Sequence, residues 1–217
     1  MKTQYICVEG CEGVGKTTQT QKLVQHLQYL GFSVLQTKEP GTVLSPLTME
    51  LRNIMLNAKY ESEITVAARE LISQAIRSIH LERVIIPAFD KYDFIVQDRG
   101  LLSGLAYGEA CGNDIEFLMN LIAPIAFKAG FDQSVSIYDK VILLTGNVKA
   151  GLDKAVSSKQ EFEAGDAIEM KGLSFMEQVN TNMTKYSSWF NTTSINVDGK
   201  SIRDVLNEIT GALSIKG

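Results

Sequence analysis

Tyr5-Ile6-Cys7-Val8-Glu9-Gly10-Cys11-Glu12-Gly13-Val14-Gly15-Lys16-Thr17-Thr18 is the stretch from which the fold can be read. Its second half fits the pattern G-x-x-x-x-G-K-[ST], and its first half is the short buried strand from which such a loop springs. Behind it, Thr18 to Leu30 carries Leu23, Val24, Leu27 and Leu30 at helical spacing. Strand, glycine-rich turn and helix in that order build an anion cradle. The glycines let the backbone curl until consecutive N–H groups point inward, and the helix N-terminus adds partial positive charge. Gly10, Cys11, Glu12, Gly13, Val14, Gly15, Lys16, Thr17 and Thr18 therefore read as a phosphate-binding segment, in which Cys11 acts through its backbone. Lys16 is expected to reach the β- and γ-phosphates of a nucleotide and Thr17 to hold Mg²⁺.

Working outward, apolar β-type runs recur at Tyr5-Val8, Phe32-Gln36, Phe94-Gln97, Val141-Leu144 and Ser194-Val197, with helical patterns between them. That alternation predicts an α/β fold in three αβα layers, a central parallel five-stranded sheet covered by helices on both faces. With no repeat, low-complexity tract or linker in view, residues 1–217 read as a single domain. Ligands bind such sheets beyond the carboxyl ends of the strands, and the notable residues fall there: the phosphate loop, Thr37 to Thr42, and Asp98-Arg99. The polar, glycine-ended run from Ser157 to Gly165 reads either as a mobile flap over the nucleotide or as a solvated loop.

A net charge of −4 with 45% hydrophobic residues argues against broad contact with a nucleic-acid backbone, which needs a basic face. Small anionic ligands need only a local cationic pocket and stay open. Cys7, Cys11 and Cys111 show no metal or redox spacing. The N-terminus lacks an apolar signal core, and no stretch approaches the roughly 18 apolar residues that span a bilayer. A soluble cytoplasmic protein without a membrane partner is the expectation.

Asp98 ends an apolar strand, where a carboxylate approaches Mg²⁺, and Arg99 directly after it can clamp the phosphate of a second substrate. The helix around Ala67 to Pro87 separates into two stripes. Ile72, Ala75, Ile76, Ile79 and Ile86 are the expected core stripe; Arg69, Ser73, Arg77 and His80 form a polar edge that would line a pocket or face solvent.

Glu9 through Thr18, then Thr37-Lys38-Glu39-Pro40-Gly41-Thr42, Asp98-Arg99 with Ser103 and Tyr107, and Asp166-Ala167-Ile168-Glu169 followed by Phe175, Val179 and Tyr186 together resemble the thymidylate kinase family over nearly the whole chain. The resemblance implies a dimeric P-loop nucleoside monophosphate kinase that moves the ATP γ-phosphoryl group to dTMP with Mg²⁺. It implies Lys16, Asp98 and Arg99 as catalytic residues and Thr17 with Asp98 as the metal site. Arg52 and Arg99 would hold the acceptor's 5′-phosphate, Glu39 would shape the turn over it, and Arg77 would bond the pyrimidine edge. Tyr107 would pack on the deoxyribose, and Glu12 would reach toward the sugar. A short lid over roughly residues 154–168 belongs to the same resemblance.

The chain departs from that pattern twice. Ser73 stands where the family usually stacks an aromatic ring on the base, and Gly100, Gly104 and Gly108 leave that side of the pocket bare. A bulkier or more polar pyrimidine, such as 5-hydroxymethyl-dUMP, is the alternative acceptor this suggests. In addition, no arginine occurs between Arg99 and Arg203, so Lys159, or in second place Lys154, is expected to supply the lid's cation as a point charge. A GTPase-type switch would need N-K-x-D and D-x-x-G motifs, and the chain has neither. A catalytically weak nucleotide-binding module remains the third reading.

Overall fold

The computed structural model describes residues 2–128, 130, 137–158, 168 and 171–215. Five strands, β1 (Gln4–Gly10), β2 (Val34–Lys38), β3 (Phe94–Asp98), β4 (Lys140–Thr145) and β5 (Thr192–Asn196), form one parallel sheet in the order β2-β3-β1-β4-β5. The strands at its centre are continuous apolar runs because helices cover both of their faces. Tyr5, Ile6, Cys7 and Val8 of β1 and every residue of β3 are buried.

Eight α-helices are described: α1 (Lys16–Tyr29), α2 (Pro46–Leu56), α3 (Val66–His80), α4 (Leu101–Ala110), α5 (Ile115–Lys128), α6 (Val148–Ser158), α7 (Gly172–Ser187) and α8 (Ile202–Ala212). α1 packs on the sheet and on α8, where Gln19 Nε2 donates to the Ile202 carbonyl at 3.0 Å. α4 packs along α7 and against α5. The strands run parallel, but the order in which the chain adds them switches sides about β1, to β2 and β3 first and then to β4 and β5, and ligands bind such sheets in the cleft beyond the carboxyl ends at this switch point. Among the described residues no helix is long and apolar enough to cross a membrane.

Two expectations need correction. The second strand begins two residues later than Phe32, so Thr37 and Lys38 belong to β2 itself and pair beside Gln97 and Asp98. The second concerns α3, where the row expected in the core is mostly turned outward. Ala75 and Ile86 are exposed, Ile72 and Ile79 are half-buried, and only Ile76 is fully enclosed. Glu70, Gln74, Arg77 and His80 take the buried face instead. The reason is that this face borders a cavity and its charges are paired there, which makes burial tolerable. Past His80 the helix widens into a π turn (Leu81–Ile85) and then tightens over Ile86–Ala88. The wide turn shifts the phase, so Leu81, Val84, Ile85 and Ala88 face inward and Ile86 does not.

Candidate active site

The loop after β1 leads straight into α1, and Gly15 at the helix entrance has φ +93°, a conformation that favours glycine. Gly13, at φ +72°, is needed for a second reason: α6 crosses so close that a Cβ there would stand 1.8 Å from the Gly151 carbonyl oxygen. Lys16 Nζ donates to the Cys11 carbonyl at 2.5 Å across the loop and is 6% exposed. Burial, with the Arg99 charge second, pulls its pKa down to about 8. An ammonium held in that state gains by meeting an anion.

Thr17 Oγ1 donates to Asp98 Oδ2 at 2.7 Å, bringing a hydroxyl and a carboxylate together at the mouth of the cradle. These hard oxygen donors suit Mg²⁺, which leaves its remaining positions to phosphate oxygens and water. Arg99 follows β3 at φ +63°. Its guanidinium donates to the Gly10 carbonyl at 3.2 Å and to Ser103 Oγ at 3.3 Å, pairs with Glu12, and stands 5.2 Å over the Tyr107 ring.

Arg99 is seated by a residue that the sequence reading passed over. Glu9, wholly buried at the end of β1, accepts from the N–H groups of Gly100 and Ser103 at 2.8 and 3.0 Å and from the Ser103 hydroxyl. It thereby caps α4 from outside, since Gly100 has no side chain with which to do so. Burial raises the Glu9 carboxyl above its ordinary range, against these hydrogen bonds and the Arg99 charge. A lone carboxylate closing an apolar strand was the available signal.

The opposite wall comes from β2, α2 and α3. Glu39 accepts from Arg77 Nε at 3.1 Å and is bonded to His80 Nδ1 at 3.0 Å, while His80 Nε2 meets Thr37 Oγ1 at 2.8 Å. Burial opposes ionisation of Glu39, but Arg77 and His80 outweigh it and its pKa is lowered. Arg52 Nη1 donates to the Pro40 carbonyl at 2.9 Å, which places a second guanidinium beside Lys38 and Glu39. Lys16, Thr17, Asp98, Arg99, Glu12, Glu39, Arg52, Ser73, Arg77, Gly104 and Tyr107 all border one cavity of about 410 Å³, and Lys154 of α6 borders it too.

The bare side of the pocket is partly an illusion of sequence. At Gly100 the space is filled by Tyr138, whose hydroxyl would lie 2.0 Å from a Cβ. The room at Gly104 is used by Arg77, and that at Gly108 by Leu118 and Glu70. Lys159 and all of Asp166-Ala167-Ile168-Glu169 except Ile168 lie outside the described residues. Lys154, the second choice for the lid's cation, borders the cavity. Glu70 and Gln74, to which the sequence reading gave no role, are buried on that wall or directly behind it.

Compared with known proteins, residues 8–209 match the sequence pattern of the thymidylate kinase family. The chain is 33% identical to thymidylate kinase of Geobacillus sp. (strain WCH70) over 211 residues, which is 97% of this chain and 95% of that protein. It is 32% identical to the probable thymidylate kinase of Pyrococcus abyssi (strain GE5 / Orsay), over 96% of this chain and 95% of the other. In three dimensions it superposes on the crystal structure of thymidylate kinase from Ehrlichia chaffeensis with a TM-score of 0.73 at 20% identity, covering 98% of this chain and all of that one.

Proposed function

The chain belongs to the thymidylate kinase family, and from that premise we propose that it transfers the γ-phosphoryl group of ATP to the 5′-phosphate of dTMP, giving ADP and dTDP. The observation that carries the reading is the continuity of one cavity from the phosphate cradle at Lys16 to the guanidinium of Arg77. Such a space holds a triphosphate at one end and a nucleoside monophosphate at the other.

Phosphoryl transfer through a loose transition state asks mainly for alignment and for compensation of charge. Lys16 turns from the Cys11 carbonyl to the β- and γ-phosphates. Arg99 and Arg52 hold the acceptor's phosphate in line, Arg99 being braced by Glu12 and by the α4 entrance that Glu9 caps. Thr17 and Asp98 would hold Mg²⁺, which when bound offsets the charge of the phosphate oxygens. Tyr107 packs beneath the deoxyribose. The cation of the lid is Lys159, or in second place Lys154 of α6, which borders the cavity; either supplies a point charge where arginine would form a fork. Together residues 154–168 form the lid in this reading, within a single kinase domain.

We further propose that two copies pair, on the family resemblance and on the apolar side chains Leu47, Ile54 and Leu71 that α2 and α3 leave exposed. A reduced cytoplasmic setting fits the three free cysteines. Incubation with ATP, Mg²⁺ and dTMP is expected to release ADP in step with dTDP. ATP left unconsumed with dTMP would defeat the proposal.

A further inference from the structure

Glu70 lies 6% exposed on the cavity side of α3, with one carboxylate oxygen engaged and the other not. Oε1 accepts from Gln74 Nε2 at 2.5 Å, Gln74 Oε1 accepts from Arg77 Nη1 at 2.7 Å, and Arg77 Nε donates to Glu39 Oε2 at 3.1 Å. The run fixes the Gln74 amide, because the opposite orientation would set donor against donor at Arg77. Among the described residues no hydrogen bond reaches Glu70 Oε2. That oxygen faces Gly108, where a Cβ would lie 3.1 Å away; one turn earlier on α4, a Cβ at Gly104 would lie 2.7 Å from Arg77 Nη2. Glu70 and Arg77 take up the room beside these glycines and also border the cavity, so α3 presents one acceptor and one donor to the slot of the cavity next to them.

Oε2 keeps access to the cavity and has no donor from the described residues, so the slot is suited to a ligand that brings a donor. Burial also raises the Glu70 pKa, with Gln74 and Arg77 acting against that rise. Once N1 carries the sugar, thymine offers two carbonyl acceptors and a single donor, N3–H. We propose that Glu70 is a specificity-determining residue that accepts N3–H of the acceptor's base while Arg77 Nη2 donates to the neighbouring carbonyl. The row Glu70–Gln74–Arg77 then reads the imide edge of thymine and rejects cytosine, whose N3 accepts and whose 4-amino group donates. This assignment rests on dTMP being the acceptor.

The test measures kcat and KM for dTMP, for its N3-methyl derivative and for dCMP, with wild type and Glu70→Gln. A glutamine at 70 keeps the bond from Gln74 and turns an NH₂ group toward the slot, so the chain of bonds survives while the acceptor is lost. Wild type is expected to favour dTMP over N3-methyl-dTMP by about 100-fold or more. In Glu70→Gln, kcat/KM for dTMP should fall about 10- to 100-fold, mostly through KM, because a contact made equally in ground and transition states is removed. Glu70→Ala, which clears room for the methyl group, should bring the two acceptors within a few-fold of each other. Equal use of dTMP and N3-methyl-dTMP by wild type overturns the assignment without any variant being made. So does a Glu70→Gln enzyme with unchanged KM for dTMP, which would leave Glu70 only a support for Gln74. Failure of wild type to phosphorylate dTMP at all, with another acceptor used, overturns the functional reading and this inference together.

Discussion

Lys16 joins the phosphate cradle to a measurable proton. Its pKa is lowered to about 8, chiefly by burial and then by Arg99, whereas in the unfolded chain it lies near 10.4. Between those values the unfolded chain holds a proton that the folded, nucleotide-free protein has released. This group therefore raises stability as pH climbs from about 8 toward 10.4, and weighs against the fold below about 8. Bound phosphates reverse the preference by stabilising the ammonium. Binding of Mg²⁺-nucleotide at pH 9 should accordingly draw close to one proton from solution, and little at pH 7. Calorimetry in buffers of different ionisation enthalpy measures this directly, and no uptake at pH 9 would contradict the burial argument.

At the scale of elements, the close crossing of α6 over the phosphate loop makes Gly13 and Gly15 unequal, although both have positive φ. Gly15→Ala introduces only backbone strain, since a Cβ there meets nothing within 4 Å; Gly13→Ala adds a collision with Gly151. We expect Gly15→Ala to lose about 1–2 kcal/mol and Gly13→Ala clearly more, with a Tm lower by roughly 2–4 °C for each kcal/mol. Thermal melts of both variants check the order, and equal losses would mean that α6 does not press on the loop. The phosphate loop was legible because its chemistry is local: glycine spacing, Lys16 and Thr17 suffice. Asp98 and Arg99 were legible for the same reason, at the end of an apolar strand. The face of α3 was not, because Ile72, Ala75 and Ile79 look like core by polarity alone. What turned the helix over was the pairing of Arg77 with Glu39, 38 residues earlier, and of His80 with Thr37, neither of which a helical period contains. Gly100 was misread similarly, its space being claimed by Tyr138 from far along the chain.

For the whole molecule, α2 and α3 leave apolar side chains on the surface, with Leu47 of α2 52% and Leu71 of α3 52% exposed. Pairing of two copies would cover them, so sedimentation at micromolar concentration should give twice the 23.9 kDa of the chain, and Leu71→Asp should shift the particle toward the monomer. A wild-type protein sedimenting at the mass of one chain would refute the pairing. The parallel sheet in the order β2-β3-β1-β4-β5 gathers strand ends from distant parts of the sequence at one cleft. That gathering makes the molecule suited to holding two phosphate-bearing substrates at once. The decisive experiment follows the label from [γ-³²P]ATP in the presence of Mg²⁺ and dTMP, for wild type and Lys16→Ala. Label should appear on the β-phosphate of dTDP, with the variant about 100- to 1,000-fold slower in kcat. Label that never reaches dTMP, or that reaches it as fast without Lys16, would contradict the assignment of this cavity to phosphoryl transfer.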